Sequence, residues 1–380
     1  MHWVVTVGAT DIAFKKPSYS ENCAAQLGVT LSSGSGKAIV TTNWRKNGDY
    51  PDCVDKHGGT SAAAPLAAGM IALFLAVRPD LTWRDVQHIV LKSARPFKSE
   101  PNDWQPVAEN RKFSHYFGYG LLDASHMVTL ATNWTLVNKE VDYKSPIIMV
   151  NNKIEDVRQV ESSYLVVKSN LDNIYFGKLE HVTVTLSIDH ETRGDLEITL
   201  ISPHNYKSYL AKQRPSDYHS VPMKDWTMST VVHFGEDPVG LWKIQVRDGK
   251  ANSKTGTFIK WQITFMGSAT IPNPPKQNLT PSNETITTPT PAIPDNVEYK
   301  GGSNGTILAV FVIFGFVGFA FYYFKKPKYD DHQRLKDEDM EERQVLHDAN
   351  EFFEDDFELE SMHHSSPGRS SSPRKHIEID

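Results

Sequence analysis

The sequence predicts a multi-domain membrane protein with an α/β part, an all-β part, a single transmembrane helix and a disordered tail. Three observations support this prediction. Helix-like and strand-like periods alternate over residues 1–135. From 138 to 268, apolar residues recur at every second position. Residues 306–324 form an uncharged, mostly apolar run that is long enough to span a bilayer.

The periodicity of the first part predicts four elements of secondary structure. Strands are expected at 4–7 and 38–42, and helices at 60–78 and 82–94. Pro79 separates the two helices, and Thr82 with Asp85 has the pattern of a capping box at the start of the second helix. The mixture of periods predicts an α/β domain over 1–135.

The second part shows the period of two that is typical of half-buried strands. The alternating residues are Val182, Val184 and Leu186; Leu196, Ile198 and Leu200; Trp242, Ile244 and Val246; and Trp261, Ile263 and Phe265. Alternation over several short segments indicates sheets with one face in the core. We therefore expect a β-sandwich or a barrel over 138–268.

The end of the sequence predicts a stalk, a membrane span and an acidic tail. Residues 269–305 are rich in Pro, Thr, Asn and Ser and cannot form a packed core. Lysines follow the span at 306–324 directly, so the positive-inside rule places the C-terminus in the cytoplasm. The tail at 325–380 is acidic and accounts for the net charge of −6. The sequence shows no cluster of basic residues of the kind that nucleic-acid binding requires.

Sequons for N-glycosylation occur at Asn133, Asn278 and Asn283, all before the predicted span. They favour a lumenal location for this part of the chain. Asn304 begins a fourth sequon, but it abuts the span, where a glycosylating enzyme would reach it poorly. The first residues lack the basic and apolar regions of a signal peptide, so we expect the sequence to be a fragment.

Ser61 is the strongest candidate for a catalytic residue. It follows Gly58 and Gly59, which permit a tight turn, and it opens an apolar helix rich in small residues. A serine at a helix N-terminus is well placed for a nucleophile, because backbone N–H groups there face developing negative charge. The alternative is a simple Gly-Thr-Ser cap before a buried helix. His57 is too close in sequence, on the same loop, to serve readily as the general base.

Longer segments decide between these alternatives. GGTSAAAPLAAG, LTWRDVQHIV and SHYFGYGLLDA closely resemble the kexin and furin branch of the subtilases, the proprotein convertases. RGDLEITLISP and KDWTMSTVVHFGEDPVGLWKIQV resemble the P domain of the same family. The resemblance covers about residues 3–268, and the order of stalk, span and tail is most similar to yeast-type kexins. It implies a partial subtilisin-like catalytic domain over 1–135 and a jelly-roll P domain over 138–268.

The resemblance also implies roles for individual residues. Ser61 matches the nucleophile, while the partner histidine and aspartate of the family precede the start of this sequence. Glu21 matches a carboxylate that helps to hold a calcium ion, an ion that prefers oxygen ligands. Cys23 and Cys53 match cysteines whose disulfide partners lie earlier in the family's sequence. We therefore expect no disulfide between them and no peptidase activity in this chain.

The function that the resemblance implies is that of a calcium-dependent serine endopeptidase anchored in the late Golgi or trans-Golgi network membrane. Such an enzyme cleaves secretory proproteins after paired basic residues. The alternative is a non-catalytic membrane glycoprotein that acts by binding through its P domain and its tail. Sequencing upstream of Met1 would distinguish the two.

Two further motifs have open interpretations. Arg193-Gly194-Asp195 could be an adhesion motif, but it lies between two alternating segments, where a glycine suits a hairpin turn. In the tail, 351–357 mixes aromatic and acidic residues, which fits either a signal that binds sorting machinery or a solvated acidic segment.

Overall fold

Helices and short strands alternate in the first part of the chain. The computed structural model describes residues 2–43, 52–275 and 285–287. The elements of the first part are β1 (Val7–Thr10), β2 (Gly28–Leu31), β3 (Ile39–Asn43), β4 (Asp52–His57), α1 (Thr60–Val77), α2 (Trp83–Ser93), β5 (Gln105–Val107), β6 (Arg111–Phe113) and α3 (Ala124–Thr132). The α/β character predicted for this part is confirmed.

The helices follow their local sequence signals closely. The Thr82 hydroxyl accepts a hydrogen bond from the Asp85 N–H at 3.3 Å, and Asp85 Oδ2 accepts one from the Thr82 N–H at 2.9 Å, so the predicted capping box is present. Asp85 is buried and also accepts hydrogen bonds from the indole of Trp134 and the N–H of Val137, both at 2.8 Å. The cap therefore also holds the chain that leaves α3.

The first strand was predicted in the wrong place, at 4–7 rather than at Val7–Thr10. β1 pairs in parallel with β2, and Ala9 and Thr10 are both fully buried there. Val4 is 48% exposed. The apolar run at 4–7 thus lies at the entrance to the strand, while small residues form the paired segment. Parallel pairing with a distant segment leaves no local pattern of alternation.

Among the described helices, α1 alone is long and apolar enough to cross a membrane, with a mean hydropathy of 1.9. One face of it packs against β1, β2 and α3 and buries Ala63, Ala67 and Phe74. Leu66, Leu73 and Val77 on the rest of its surface are exposed. The helix is therefore part of the apolar core of the first part.

The second part consists of two sheets that enclose a single apolar core. Its elements are β7 (Glu140–Lys144), β8 (Ile147–Ile154), β9 (Gln159–Val166), α4 (Lys168–Asp172), β10 (Phe176–His190), β11 (Leu196–Ile201), β12 (Lys207–Ala211), β13 (Met223–Thr230), β14 (Gly240–Asp248), β15 (Gly256–Ala269) and β16 (Thr285–Thr287). One sheet has the order β13-β10-β15-β8-β16, with β7 also paired to β15, and the other has the order β12-β11-β14-β9.

The alternating residues of the sequence point into this core, as predicted. Val182, Val184, Ile198, Ile244 and Ile263 are all fully buried between the two sheets. The β-rich nature of the second part is confirmed, while its description as a jelly-roll stays a prediction. The predicted span at 306–324 and tail at 325–380 lie outside the described residues, as does most of the predicted stalk.

The two parts also share apolar contacts. Val231, Val232 and Phe234, which follow β13, belong to the core of the first part. The N–H of Val231 donates to the Ala24 carbonyl at 2.9 Å, and the Tyr119 hydroxyl donates to the Val231 carbonyl at 2.6 Å. The segment after β13 thus joins the second part to Tyr119 and to Ala24, which lies on the same loop as Glu21.

Candidate active site

The loop before Ser61 has a shape that requires two glycines. Gly59 has a φ of +75°, a conformation that side chains with a Cβ rarely adopt. A Cβ on Gly58 would lie 2.0 Å from the Ser33 Oγ. The left-handed turn therefore requires Gly59, and the close approach of the Ser33 side chain requires Gly58. Ser61 follows as the second residue of α1 and is exposed.

The end of β2 holds this loop through side-chain hydrogen bonds. The Ser32 hydroxyl donates to the Gly59 carbonyl at 2.7 Å, and Ser33 Oγ accepts from the Gly59 N–H at 3.2 Å. Thr30 Oγ1 donates to the Ala63 carbonyl at 2.8 Å, one turn into the helix. Three polar residues of one segment thus orient the backbone on both sides of Ser61. Sequence reasoning missed them, because their partners lie 26 to 33 residues away.

Within the part of the chain that the structure describes, the Ser61 hydroxyl makes no hydrogen bond, and neither a histidine nor a carboxylate is brought to it. His57 is exposed at the end of β4, where its backbone pairs with Ile39. Among these residues, the arrangement therefore presents a nucleophile position on a well-held helix N-terminus, without a base. The role of Ser61 stays a prediction.

Glu21 lies exposed on the loop between β1 and β2. The Tyr19 hydroxyl, two residues earlier, donates to the Ser33 carbonyl at 2.6 Å and so connects this loop to the Ser61 turn. No group of three or more His, Cys, Asp or Glu residues that could hold a metal ion occurs among residues 2–43 and 52–275. Glu21 supplies one carboxylate, and these residues alone do not form a calcium site.

Among the described residues, no disulfide joins Cys23 to Cys53. Cys23 is half-buried, and its Sγ accepts a hydrogen bond from the Ala25 N–H at 3.4 Å. Burial raises the pKa of this thiol, so it stays protonated at neutral pH.

The predicted glycosylation sites have different positions. Asn133 is exposed at the C-terminal end of α3, where a glycosylating enzyme could reach it. Asn278 and Asn283 lie outside the described residues. Glycosylation at all three stays a prediction.

The Arg193-Gly194-Asp195 motif is not available for adhesion. It forms a single 3₁₀ turn between β10 and β11, and Asp195 is 1% exposed. The Asp195 carboxylate lies 2.8 Å from Lys250 Nζ and accepts from the Asn252 amide at 2.9 Å. A buried and paired aspartate cannot reach a receptor, so the turn is structural.

Ser208, His233 and Glu236 have the geometry of a catalytic triad, which the sequence did not reveal. Ser208 Oγ lies 2.9 Å from His233 Nε2, and His233 Nδ1 lies 2.9 Å from Glu236 Oε2. All three residues are at most 2% exposed, and Ser208 Oγ also contacts Thr230 Oγ1 at 2.8 Å. A substrate cannot reach this hydroxyl. The network therefore satisfies buried polar groups where the two parts meet.

Comparison with known proteins agrees with this two-part structure. The chain matches the profile of the subtilase family over residues 1–120 and that of the proprotein convertase P-domain over residues 179–265. The Aeromonas sobria serine protease, solved in complex with its chaperone, has a similar fold, with a TM-score of 0.56 and 21% identity over 69% of this chain and 57% of that one.

Curated relatives are more similar in sequence. The dibasic-processing endoprotease of Schizosaccharomyces pombe is 44% identical over 70% of this chain and 38% of its own length. Kexin of Saccharomyces cerevisiae is 39% identical over 70% of this chain and 32% of its own, and furin of Rattus norvegicus is 40% identical over 67% and 31%. The chain thus spans roughly a third of these relatives. With the C-terminal part of a subtilase domain followed by a P-domain, the chain belongs to the kexin and furin type of proprotein convertases.

Proposed function

We propose that this chain is part of a kexin-like serine endopeptidase that cleaves secretory proproteins after paired basic residues. The observation that carries the proposal is the Ser61 turn, in which two glycines and the hydroxyls of Ser32 and Ser33 hold an exposed serine at the start of α1. The relatives named for dibasic processing support the choice of substrate.

The chemistry follows from this geometry. A serine hydroxyl attacks a peptide carbonyl only after a base removes its proton, and the oxyanion that results needs fixed donors. The N–H groups of the first turn of α1 have no partners within the helix and lie beside Ser61. In the mechanism proposed, Ser61 supplies the nucleophile, while a histidine and an aspartate come from outside the described residues.

The finer features of the proposal follow the family. Glu21 would contribute one oxygen ligand to a calcium ion in the complete enzyme, beside other carboxylates. We place the protein in the late Golgi or trans-Golgi network, as a single-pass membrane protein with glycans at Asn133, Asn278 and Asn283 and a cytoplasmic tail that binds sorting machinery. The second part would act as a jelly-roll P domain that the catalytic domain needs for folding.

The chain by itself is expected to be inactive, because loss of the triad partners costs on the order of 10⁶ in kcat. The second candidate function, a non-catalytic membrane glycoprotein that acts by binding, is favoured by the unengaged Ser61 hydroxyl among the described residues.

A chimera distinguishes the two candidates. The segment that precedes the matched region in the Schizosaccharomyces pombe relative is joined to this chain, and turnover of a fluorogenic Lys-Arg peptide is measured with and without calcium. We expect calcium-dependent turnover by the chimera and none by the chain alone. Ser61→Ala should abolish turnover, whereas Ser125→Ala, at the equivalent second position of α3, should not. A secreted, folded chimera without turnover would favour the binding function.

A further inference from the structure

A groove of about 720 Å³ lies where the two parts of the chain meet. Its walls come from the loop that contains Lys16 and Glu21, from Tyr116, and from residues of the second part between 193 and 228. The strands that border it, β12 and β13, are the outermost strands of their sheets. Of the residues that line it, the proposed function uses only Glu21, as a calcium ligand of the complete enzyme.

Two lysines on one wall share an aromatic ring. Lys16 Nζ lies 5.6 Å and Lys212 Nζ lies 5.4 Å from the centre of the Tyr116 ring, and Lys212 Nζ lies 4.9 Å from that of Tyr209. Neither lysine forms an ion pair with a carboxylate among the described residues. Burial lowers the pKa of Lys16, and the charge of Glu21 offsets only part of this effect. Among these residues, therefore, no direct ion pair neutralises either ammonium group.

Two arginines on another part of the wall share a single carboxylate. Arg193 Nε lies 2.9 Å and Arg214 Nη2 lies 3.1 Å from Asp217 Oδ2. The guanidinium of Arg193 also lies over the ring of Trp226, at 5.6 Å. One negative charge balances two positive charges here, so this wall also has an excess of positive charge. The four cations that line the groove face only Glu21 and Asp217 as anions.

The groove also offers apolar surface and a strand edge. Trp226 is 46% exposed on β13, and Met228 lies beside it on the same strand face. Among the described strands β13 pairs only with β10, so its other edge can accept hydrogen bonds from an extended chain. Aromatic and arginine side chains are common anchors of binding surfaces.

We propose that this groove binds an extended, acidic segment of a partner polypeptide. Two of the segment's carboxylates would contact Lys16 with Lys212 and Arg193 with Arg214, and an apolar side chain between them would pack on Trp226. Charge complementarity selects this occupant, since the groove has two more cations than anions. The binding does not depend on the peptidase chemistry proposed for Ser61.

The test measures fluorescence anisotropy of a labelled peptide, Gly-Glu-Asp-Phe-Glu-Asp-Gly, with the full 380-residue chain in mild detergent. We expect saturable binding that weakens by about tenfold or more in Lys16→Glu/Lys212→Glu, because attraction becomes repulsion. The same charge change in Lys139→Glu/Lys144→Glu, two exposed lysines at the ends of β7 and outside the groove, should alter affinity by less than about twofold. Trp226→Ala should weaken binding, whereas Tyr218→Ala, exposed but outside the groove, should not.

Further variants guard against loss of structure and non-specific attraction. Lys16→Arg/Lys212→Arg keeps the charges and should keep the affinity, and near-UV circular dichroism of each variant should match that of the parent. The proposal is overturned if the peptide with Gln and Asn in place of Glu and Asp binds equally well, or if both charge-reversal pairs weaken binding equally. Binding of a heparin fragment or inorganic phosphate at the lysines, without binding of the peptide, also overturns it.

Discussion

Arg84 of α2 and Glu180 of β10 form a buried ion pair that joins the two parts of the chain. Their side chains are 7% and 2% exposed, and Arg84 Nε donates to Glu180 Oε2 at 2.8 Å. His88 Nε2 lies 3.0 Å from the other carboxylate oxygen. Burial by itself would raise the pKa of Glu180, but hydrogen bonds from His88 and Arg84 lower it to about 2. The contact therefore depends on an ionised carboxylate.

Loss of this charge should destabilise the folded chain. Glu180→Gln leaves the Arg84 guanidinium buried without its counter-charge, which costs about 3 kcal/mol of the free energy of unfolding. Urea unfolding followed by tryptophan fluorescence measures the change. Lys168→Met, which breaks an exposed pair with Asp172, is the control and should cost less than about 1 kcal/mol. If the two variants lost equal free energy of unfolding, burial of the Arg84–Glu180 pair would not be the reason for its contribution.

The same pair predicts a loss of stability in acid. Because the pKa of Glu180 is about 2 in the folded chain and 4.5 ordinarily, its contribution is complete above pH 4.5 and is lost as pH falls towards 2. The free energy of unfolding of Glu180→Gln should therefore depend less steeply on pH than that of the parent between pH 4.5 and 2. Unfolding by urea at a series of pH values checks the slope, and an unchanged slope in the variant would refute the assignment.

His115 should weaken the fold as pH falls from neutral. Burial lowers its pKa to about 3, with smaller effects from Lys212 and His233, and its Nε2 accepts from the Tyr209 N–H at 2.9 Å. Between pH 6.5 and 3 the unfolded chain binds a proton that the folded chain does not, so stability falls by up to about 1.4 kcal/mol per pH unit. His115→Gln should flatten this slope between about pH 6.5 and 5. Urea unfolding at a series of pH values measures the slope, and an unchanged slope in this variant would contradict the assignment.

The Ser61 turn should be sensitive to added volume at Gly58. Gly58→Ala would place a methyl group against Ser33, at an expected cost of about 1–3 kcal/mol in the free energy of unfolding. Ser33→Gly in the same chain should recover part of this loss, as measured by urea unfolding. In contrast, Gly69→Ala within α1 meets nothing within 4 Å and should stabilise the chain by up to about 1 kcal/mol.

The sequon at Asn133 should be used in a secretory host. Because Asn133 is exposed at the end of α3, we expect a glycan there. Asn133→Gln and Thr135→Ala should each reduce the gel shift on enzymatic deglycosylation by the contribution of one glycan, because each destroys this sequon alone. A shift of unchanged size in both variants would contradict the prediction.

Local patterns in the sequence predicted much of the secondary structure. The expected helices at 60–78 and 82–94 match Thr60–Val77 and Trp83–Ser93 closely, because apolar composition and the cap at Thr82 act within a few residues. The same holds for the alternating strands, where neighbouring side chains must point to opposite faces. The resemblance to the convertases, and with it the role expected of Ser61, also came from contiguous motifs.

Such local patterns could not predict contacts between residues that are distant in the sequence. The ion pair of Arg84 and Glu180 joins positions 96 residues apart, and Ser33 meets Gly59 across 26. A residue's polarity does not specify which distant partner will satisfy it. The sequence by itself determined the helices, the alternating strands and the family. Only the tertiary structure decided how the Ser61 turn is held, that Asp195 is buried, and that Lys16 and Lys212 meet over Tyr116, because packing brings together groups that no local period connects.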